Sequence, residues 1–452
     1  MKKAITLSLA ALVASTTLFG AEDLSGMFVE GKTSGQVRMF YVDRQYQGGS
    51  GADTHRNSLA LGGHLKFETA DFKGLSFAAA LYNTSGIHAF DYDVVDPSLL
   101  GTGLQSYSVL GEFYAKINLA EYGTKTAAKL GYQRYDVPMM GSDDARMLPN
   151  TFEAYKFTNN DLERVSFQVA QVNKIAYGTF SNIYSGGILG ATSGYPIQGN
   201  IGTGHYTNMG QAAVGRDTKG VTNAMVTFKS DHFSAKISND YAWDLYNTLY
   251  ADVGAKWTCL LSDSVHPFFN AQLIKQNSVG GAYMQELSGN GEMDSLYVAA
   301  KLGFKVAGLS AYGAYSQTGA NSASDVANGN AYANAIVSQF GGMPAYTQGM
   351  VTRHQFLGGT KAWKAVASYN FKNLGTDLST TVYYASFDVD ANSGYGVART
   401  ATEPGFDIKY NPALVKNLNL RFRGNFPRKF AESTAGSDTG WNEYRLIANY
   451  NF

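Results

Sequence analysis

The sequence predicts an all-β fold, a transmembrane antiparallel β-barrel of about eighteen strands with short periplasmic turns and long extracellular loops. Three observations predict it. Apolar and polar residues alternate in segments of about ten residues, which is the length of a tilted membrane strand. The composition combines 30 Tyr, 26 Phe and 50 Gly with only 9 Pro, as suits strands joined by glycine turns. Beyond residue 21 no apolar run reaches about 18 residues, so a membrane-spanning helix is not expected.

The alternation is clearest in three segments of the C-terminal half. These are 294–306 (DSLYVAAKLGFKV), 359–371 (GTKAWKAVASYNF) and 417–426 (NLNLRFRGNF). In each segment one set of alternate residues is apolar, and the residues between them are mostly charged, polar or glycine. A typical globular strand has only about five or six residues. The longer pattern therefore predicts strands with one face in lipid and the other in water.

The connections between strands alternate between short and long. Eight are tight links, such as DFKG at 71–74 and KNLG at 372–375, and their Asp, Asn and Gly residues favour tight turns. Nine other links, most of them long, bring the predicted strand number to about eighteen. The links 176–219 and 319–357 are rich in Gly, Ser, Ala and Asn. Two interpretations are open for them: exposed surface loops, or loops folded into a pore.

The first 21 residues are predicted to be a secretory signal peptide. A basic start (MKK) is followed by an apolar run and by small residues at positions 20 and 21, which is the pattern of a cleavable signal. The alternative is a short buried helix. With the signal peptide at 1–21, the remainder, 22–452, is predicted to be a single transmembrane β-barrel domain.

Composition and motifs argue against several function classes. Basic and acidic residues are balanced at 36 each, so no nucleic-acid partner is expected. The single cysteine, Cys259, excludes an intramolecular disulfide. The seven histidines lack metal-ligand spacing, and no nucleophile or dinucleotide motif is present. We therefore expect neither an enzyme nor a metal or cofactor site.

The chain ends with the alternating segment NEYRLIANYNF, residues 442–452. Its apolar face ends in the aromatic Phe452, and its polar face contains Glu443 and Arg445. We predict that this last strand pairs with the first, near 36–41, because closure leaves no unpaired edge in lipid. The terminal aromatic residue also resembles the signal by which barrel-assembly machinery recognises its clients.

The polar faces of the predicted strands are rich in basic residues. With the apolar faces toward lipid, where a charge costs about 2–4 kcal/mol at the midplane, Lys and Arg outnumber Asp and Glu on the inner wall, and such linings favour anions. Arg421 and Arg423 lie two apart on one strand, so their guanidinium groups would follow each other at about 6–7 Å. Each can bind a carboxylate through two hydrogen bonds. The alternative for any single basic residue is an ion pair that only keeps the lumen wet.

Segment 132–167 (YQRYDVPMMGSDDARMLPNTFEAYKFTNNDLERVSF) resembles the region around the third external loop of OprD-type porins, which are substrate-selective outer-membrane channels. The family pattern is a Pro-containing loop followed by Asp-x-Arg-x-Leu-Pro-x-Thr-Phe. The residues that fill the pattern are Pro138, Asp144, Arg146, Leu148, Pro149, Thr151 and Phe152. The stretches 406–426 and 442–452 are similar to the C-terminal end of the same family. The 176–219 link matches no family motif, so substrate choice does not carry over.

The resemblance implies an outer-membrane location in a Gram-negative bacterium, a loop near 136–151 that narrows the pore, and a basic ladder that passes small carboxylate-bearing solutes. It places Arg146 in the narrowing loop. An alternative role for Arg146 is an ion pair with Asp143 or Asp144 that pins this loop. The candidate pore-lining residues are Arg421, Arg423, Arg146, Arg38, Arg445, Lys301, Lys305 and Asp144.

The sequence therefore predicts a channel for passive diffusion of small hydrophilic solutes that favours anionic or carboxylate-containing ones. Two alternatives are a general non-specific porin and a surface adhesin that uses the long loops, and a barrel lipase or protease would need a motif that we do not find. The expected partners are outer-membrane lipid, the solutes and the barrel-assembly machinery. The resemblance implies a monomer or a loose trimer.

Overall fold

The structure is a computed structural model. It describes residues 21–48, 55–87, 94–184, 204–280, 291–342, 344–394, 397–432 and 438–452. The predicted signal peptide therefore lies outside the described residues, apart from Ala21.

Eighteen long strands form the barrel wall in the described ranges, which confirms the predicted architecture. They are β1 Lys32–Gln47, β2 His55–Glu68, β3 Leu75–Gly86, β4 Tyr107–Asn118, β5 Thr126–Gln133, β6 Thr151–Asn159, β7 Val165–Ala176, β8 Val221–Lys229, β9 Phe233–Ala242, β10 Tyr246–Lys256, β11 Val265–Ser278, β12 Asp294–Val306, β13 Leu309–Thr318, β14 Lys361–Asn370, β15 Leu378–Val389, β16 Arg399–Tyr410, β17 Leu418–Asn425 and β18 Asp438–Asn451. Each strand pairs antiparallel with its neighbours in this order. Two further strands, Thr207–Asn208 and Ala431–Glu432, have two residues each and pair with β7 and β18.

The pairing of β1 with β18 closes the sheet into a barrel. Its register begins with Gln36 opposite Asn451 and continues over twelve residue pairs. Next to the first pair, the Phe452 N–H donates to the Gly35 carbonyl at 3.1 Å, and the Phe452 carbonyl accepts the Gly35 N–H at 2.9 Å. The prediction that the last strand pairs with the first near 36–41 is confirmed, and the ladder extends to residue 452.

Side chains alternate between an outer apolar face and the barrel interior. On β12, Val298 and Leu302 are 44% and 59% exposed at the outer surface, whereas Tyr297 and Ala299 are buried on the opposite face. The exposed set is the apolar face that the sequence predicts for 294–306. Large apolar side chains can be this exposed because lipid surrounds the outer wall.

The tight turns close hairpins at one end of the barrel. In DFKG, between β2 and β3, Phe72 and Leu75 exchange two backbone hydrogen bonds of 2.9 and 3.0 Å. Lys73 and Gly74 between them both have positive φ, 51° and 83°. This is the two-residue turn whose twist matches that of antiparallel strands, and glycine suits its second position because it has no Cβ.

Within the described ranges there are four short α-helices, one before β1 and three in the connections between strands. They are α1 Leu24–Val29, α2 Thr179–Tyr184, α3 Met209–Val214 and α4 Ala323–Ala327. Among the described residues, none of the helices is long and apolar enough to span a membrane.

The apolar core lies inside the barrel, where two connections pack against the wall. Its largest cluster joins the wall residues Phe152 and Ala385 to Val137 and Met140 of one connection and Phe340 of another. We call residues 134–150 inner loop 1 and residues 319–360 inner loop 2. The open question about 319–357 is thereby answered in part: the described residues of 330–357 are buried or half-buried inside the barrel, whereas most side chains of 322–329 are exposed. The link 176–219 is described only in part, and residues 185–203 lie outside the described ranges.

A matched pair of substitutions on β8 tests the two faces. Val226 is exposed on the outer surface, and Thr227 is on the opposite, lumen-facing side of the strand. We expect Val226→Lys to lower the free energy of unfolding by about 2–4 kcal/mol and Thr227→Lys to lower it far less, because a charge is costly only against lipid. Urea titration in lipid vesicles measures both values. Equal losses for the two variants would contradict the assignment of the faces.

Candidate functional site

Inner loop 1 connects β5 to β6 and occupies part of the lumen. Tyr135 donates its hydroxyl to Asn223 on the inner face of β8 at 2.8 Å. The backbone N–H groups of Met147 and Leu148 both donate to Thr179 Oγ1 of α2 at 3.0 Å. The loop that the resemblance placed in the pore, near 136–151, therefore lies inside the barrel.

Short polar side chains shape inner loop 1 from within. Asp136 accepts the Ser142 N–H at 2.7 Å and the Ser142 hydroxyl at 2.6 Å. Asn150 donates to the Gly141 carbonyl at 2.9 Å and accepts the Gly178 N–H at 2.8 Å. These contacts satisfy backbone groups that no helix or sheet pairs, which is what allows an irregular loop to be buried.

Arg38 of β1 fastens inner loop 1 to the wall. Its guanidinium donates to Asp144 at 2.6 Å and to the Arg146 carbonyl at 2.6 Å, and its Nε donates to Asn449 of β18 at 2.8 Å. Burial raises the pKa of Asp144, but the guanidinium groups of Arg38 and then Arg134 together outweigh burial and hold the pKa below its usual value. The carboxylate therefore stays ionised, and the pair ties the loop to the strands that close the barrel.

Glu443 of β18 binds three arginines at once. Arg146 donates to it at 2.8 Å, Arg44 of β1 at 3.1 Å and Arg445 at 2.5 Å. All four residues are at most 1% exposed. Arg146 and Arg445 therefore present almost no guanidinium surface to a solute. Among the described residues, the acidic partner of Arg146 is Glu443, not Asp143 or Asp144 as the sequence suggested.

We call Glu443 and its three arginines, together with Asp96, the Glu443 cluster. Asp96 lies 2.9 Å from Arg44 and accepts the Ser98 N–H at 2.9 Å. Arg146 also donates to the Ser98 hydroxyl at 3.1 Å. Three buried guanidinium groups thus share two buried carboxylates. Removal of a partner from such a network leaves an uncompensated buried charge, which is strongly destabilising.

Inner loop 2 is held by polar side chains of the wall. Glu403 of β16 is fully buried and accepts the backbone N–H groups of Met350 and Thr352, the latter at 2.8 Å. Gln276 of β11 accepts the Val337 N–H at 2.7 Å and donates to the Val337 carbonyl at 2.9 Å. These wall side chains satisfy the backbone of a second irregular buried loop.

The two inner loops meet each other in the lumen. The Gly141 N–H donates to the Phe340 carbonyl at 3.2 Å, and the Gly342 N–H donates to Asp143 at 3.3 Å. Gly341 has a φ of +76°, and a Cβ there would lie 2.6 Å from the Gly141 carbonyl oxygen. Glycine is required at this contact because any side chain would collide with the opposite loop. The two loops are therefore joined to each other inside the barrel.

Arg421 and Arg423 are the partly exposed members of the arginine group. Arg421 of β17 donates to Asp407 of β16 from Nε at 2.8 Å and also from a terminal nitrogen. The Nε of Arg423 lies 3.5 Å from the same carboxylate. This Nε is buried, and it makes an ion pair with Asp407 but no hydrogen bond in the part of the chain that the structure describes. In the register, Arg423 stands directly opposite Arg445, so two like charges face each other.

Lys301 and Lys305 lie on β12, five strands from β17 along the wall. The Lys301 ammonium lies 4.3 Å from the ring centre of Tyr346 in inner loop 2, and Lys305 is exposed near the end of β12. The structure leaves these two lysines apart from the others. The candidates that it brings together, around β1, β17, β18 and inner loop 1, are Arg38, Asp144, Arg146, Arg421, Arg423 and Arg445.

A row of three lysines lies on another part of the inner wall. Lys116 of β4, Lys129 of β5 and Lys156 of β6 occupy directly paired positions. Lys129 lies 3.7 Å from Glu112 and 3.8 Å from the ring centre of Tyr114. Like charges on directly paired positions are unfavourable, and the carboxylate and the ring offset this in part. The lumen is therefore basic in two regions of the wall.

Two wall residues of the site were not singled out from the sequence. Arg44 follows Arg38 by six residues, and Glu403 precedes Asp407 by four. A period of two places each of them on the same face as its reference residue, so this signal was available. Asp96 gave no such signal, because it lies in an irregular connection between β3 and β4.

A closed antiparallel barrel of eighteen strands, apolar outside and charged inside, with loops folded into its lumen, defines an outer-membrane channel. The chain belongs to the OprD family: the family model described as "outer membrane porin, OprD family" matches residues 101–452. It is accordingly a channel of a Gram-negative outer membrane.

Solved structures with this fold come from Pseudomonas aeruginosa. OccK9 (OpdG) is similar with a TM-score of 0.73 and 18% identity, over 94% of this chain and 99% of that one. OpdK, in a structure with vanillate, has a TM-score of 0.71 and 16% identity, over 94% and 100%. OccK2 (OpdF), in complex with glucuronate, has a TM-score of 0.68 and 14% identity, over 94% and 99%. These likenesses show the fold alone, and a comparison with curated proteins gave no match.

The Glu443 cluster generates a stability prediction. We expect Glu443→Gln to lower the free energy of unfolding by about 3–5 kcal/mol, because Arg146 and Arg445 then lose their shared buried carboxylate. Inner loop 1 should also be held less firmly, so single-channel currents should fluctuate more. Denaturant titration in vesicles and planar-bilayer recording measure the two effects.

The matched control is Glu153→Gln, the same chemical change in a more exposed ion pair with Lys174 at 2.7 Å. Because solvent screens such a pair, we expect a loss of about 1 kcal/mol or less. If the Glu443→Gln variant were as stable as this control and its single-channel current fluctuated no more, the cluster would not hold the loop.

Proposed function

We propose that this chain is a channel for passive diffusion of small hydrophilic solutes that prefers anionic ones, above all those bearing a carboxylate. The observation that carries the proposal is the partial exposure of two neighbouring arginines: Arg421 and Arg423 keep 26% and 15% of their side chains exposed, and they share the single carboxylate of Asp407. The two lie on the same face of β17, and Arg445 stands opposite Arg423. Two partly exposed guanidinium groups that share one carboxylate gain energy when a second carboxylate approaches.

Asp407 supports transfer along the wall instead of tight binding. It binds Arg421 at 2.8 Å and lies 3.5 Å from Arg423. A solute carboxylate at Arg423 competes with Asp407 and is released when Asp407 takes its place. Conduction needs such weak, repeated binding, since a solute held tightly at one position does not leave. The proposal involves no energy source.

The lysine row on another part of the inner wall supports the same preference for anions. Lys116, Lys129 and Lys156 form a second positive region on strands remote from β17. A solute that leaves the arginines therefore remains in a positive field. Charges of one sign along a narrow aqueous path raise the local concentration of the opposite ion, which favours anions along the path and not at a single point.

Two structurally similar porins were solved with carboxylates, OpdK with vanillate and OccK2 (OpdF) with glucuronate. Their identities to this chain are 16% and 14%, so neither solute is assigned to it. The chemistry that the two solutes share, a small organic carboxylate, supports the preference proposed for the arginines.

A general, weakly selective porin is the second candidate. It is favoured by the acidic partners of the inner wall, since Asp407 pairs with Arg421 and Glu112 with Lys129, which lowers the net positive charge. A surface adhesin is less well supported, because inner loop 2 is bound to the wall at Val337 and Thr352.

Several further assignments stay predictions. They are the signal peptide at 1–21, the single barrel domain over 22–452, the barrel-assembly machinery as a partner, and the monomer or loose trimer. The solute-contact roles of the eight candidate pore residues also await measurement. Because Arg421 and Arg423 are partly exposed, we expect them to contact the solute. Because Arg146 and Arg445 are buried, we expect them to act by holding inner loop 1 in place.

The selectivity test removes the exposed arginines. We expect Arg421→Ala with Arg423→Ala to lower the chloride-to-potassium permeability ratio about fivefold, which corresponds to about 1 kcal/mol of lost attraction. Adding Asp407→Asn should restore part of the ratio, because it removes the carboxylate that the double variant leaves unpaired. Reversal potentials in a salt gradient measure all three proteins.

The control is Arg164→Ala, which removes the same charge from an exposed turn outside the lumen. Its permeability ratio should equal that of the unsubstituted protein. A cation-selective unsubstituted channel would overturn the anion preference. An unchanged ratio in the double variant would remove Arg421 and Arg423 from the site and favour a general porin.

A further inference from the structure

Several tight turns at the periplasmic end of the barrel carry large apolar side chains that are mostly exposed. Leu260 and Leu261, in the β10–β11 turn, are 100% and 95% exposed, and Leu414 in the β16–β17 turn is 99% exposed. These residues lie beyond the strand ends, not on the outer wall. Water is a costly environment for three exposed leucines, so their exposure needs a physical reason.

The same feature recurs around the barrel. Five of the eight tight turns expose a large apolar residue at the tip, including the β4–β5, β6–β7 and β14–β15 turns. The remaining three do not, and the β8–β9 turn is the polar tripeptide 230–232, Ser-Asp-His. We call the exposed set the turn-tip ring; its members are Tyr122, Leu162, Leu260, Leu261, Leu374 and Leu414.

The turn-tip ring is continuous with the surface that faces lipid. Trp257, at the end of β10, is 43% exposed and leads directly to Leu260 in the chain, and Val415 next to Leu414 is 45% exposed. The ring has the annular shape of a membrane leaflet around a barrel. A protein partner that covered the whole ring would also cover the exit of the channel.

Polar groups lie beside the apolar tip of the β16–β17 turn. A cavity of about 600 Å³ lies between the turns 371–377 and 411–417, and its lining includes Asp377, Asn411, Lys416 and Asn451. Lys416 follows Leu414 and Val415 directly, so an ammonium and an apolar tip share one turn. This is the arrangement of an interfacial segment, in which apolar side chains enter the acyl region and a lysine reaches the phosphates.

From these observations we infer that the turn-tip ring is a lipid-binding surface. Its ligand is the glycerophospholipid of the periplasmic leaflet, with the tips inserted at the boundary between headgroups and acyl chains and the polar cavity beside Leu414 facing a headgroup. The barrel then contacts lipid beyond its strands, and the turns set how deep it lies in the leaflet. This surface is independent of solute selectivity.

The native cysteine allows a direct test, because Cys259 is the residue before Leu260 and the chain contains no other cysteine. A polarity-sensitive fluorophore on Cys259 reports the environment of that turn in the full chain, reconstituted in phosphatidylethanolamine–phosphatidylglycerol vesicles. We expect blue-shifted emission and quenching by lipids that carry a nitroxide at the headgroup–acyl boundary. Insertion of about 5–10 Å places the probe within reach of that nitroxide.

The comparison position is the polar turn, labelled in a Cys259→Ser, Asp231→Cys variant. There we expect water-like emission, and quenching that is at most about half of that at Cys259, because this turn has no apolar tip. Leu260→Asn with Leu261→Asn should move the Cys259 probe to the same water-like state. Both leucines are exposed, and the turn is held by backbone hydrogen bonds such as Cys259 N–H to the Val265 carbonyl at 2.9 Å, so folding should survive.

Two measurements verify folding: the shift in gel mobility between unheated and heated protein, and the channel conductance. Both should equal those of the unsubstituted protein. Emission at Cys259 as water-like as at position 231, or unchanged by the leucine substitutions, would overturn the lipid assignment. The tips would then be a surface for a protein of the periplasm. Neither result depends on whether the channel prefers anions.

Discussion

No water is available to the backbone in the hydrocarbon core, so each N–H and C=O of a spanning strand must bond within the protein. The pairing of β1 with β18 meets this constraint for the two strands that would otherwise be edges. The same pairing builds the site, because Arg38 and Arg44 enter from β1 and Glu443 and Arg445 from β18. Closure and the anchoring of inner loop 1 are therefore one event: an open barrel would have neither the Glu443 cluster nor the loop position that depends on it.

The inner wall supplies hydrogen-bond partners to the backbone of the inner loops, as water does for loops at a protein surface. Both loops are irregular and buried, so their backbone groups need partners. Gln276, Glu403 and Arg38 supply them from inward positions of β11, β16 and β1. Those positions can be polar because lipid accepts the apolar residues on the outside. The polar lumen is thus a core in the mechanical sense, since it fixes the shape of the passage, although its contacts are mainly hydrogen bonds and ion pairs.

Burial divides the arginines into two groups with different physical consequences. Arg146 and Arg445 are enclosed with Glu443, and an enclosed charge is tolerable only with its partner. Arg421 and Arg423 keep 26% and 15% of their side chains exposed and share one carboxylate. Water can still reach them, so a solute can be bound and released at modest cost. A selective passage needs both groups, one to hold its width and one to attract what passes.

The sequence by itself determined the barrel, its closing pair and the faces of its strands, because lipid on one side and water on the other impose a period of two that is visible in each segment. It also placed Arg421, Arg423 and Arg445 inward by the same rule. Only the tertiary structure decided which arginines are buried, since Arg146 meets Glu443 across 297 residues and no local pattern encodes that meeting. The inward position of inner loop 2 was likewise undecided, because the wall residues that bind it are spread from β11 to β16 and surround one space only after the sheet has closed.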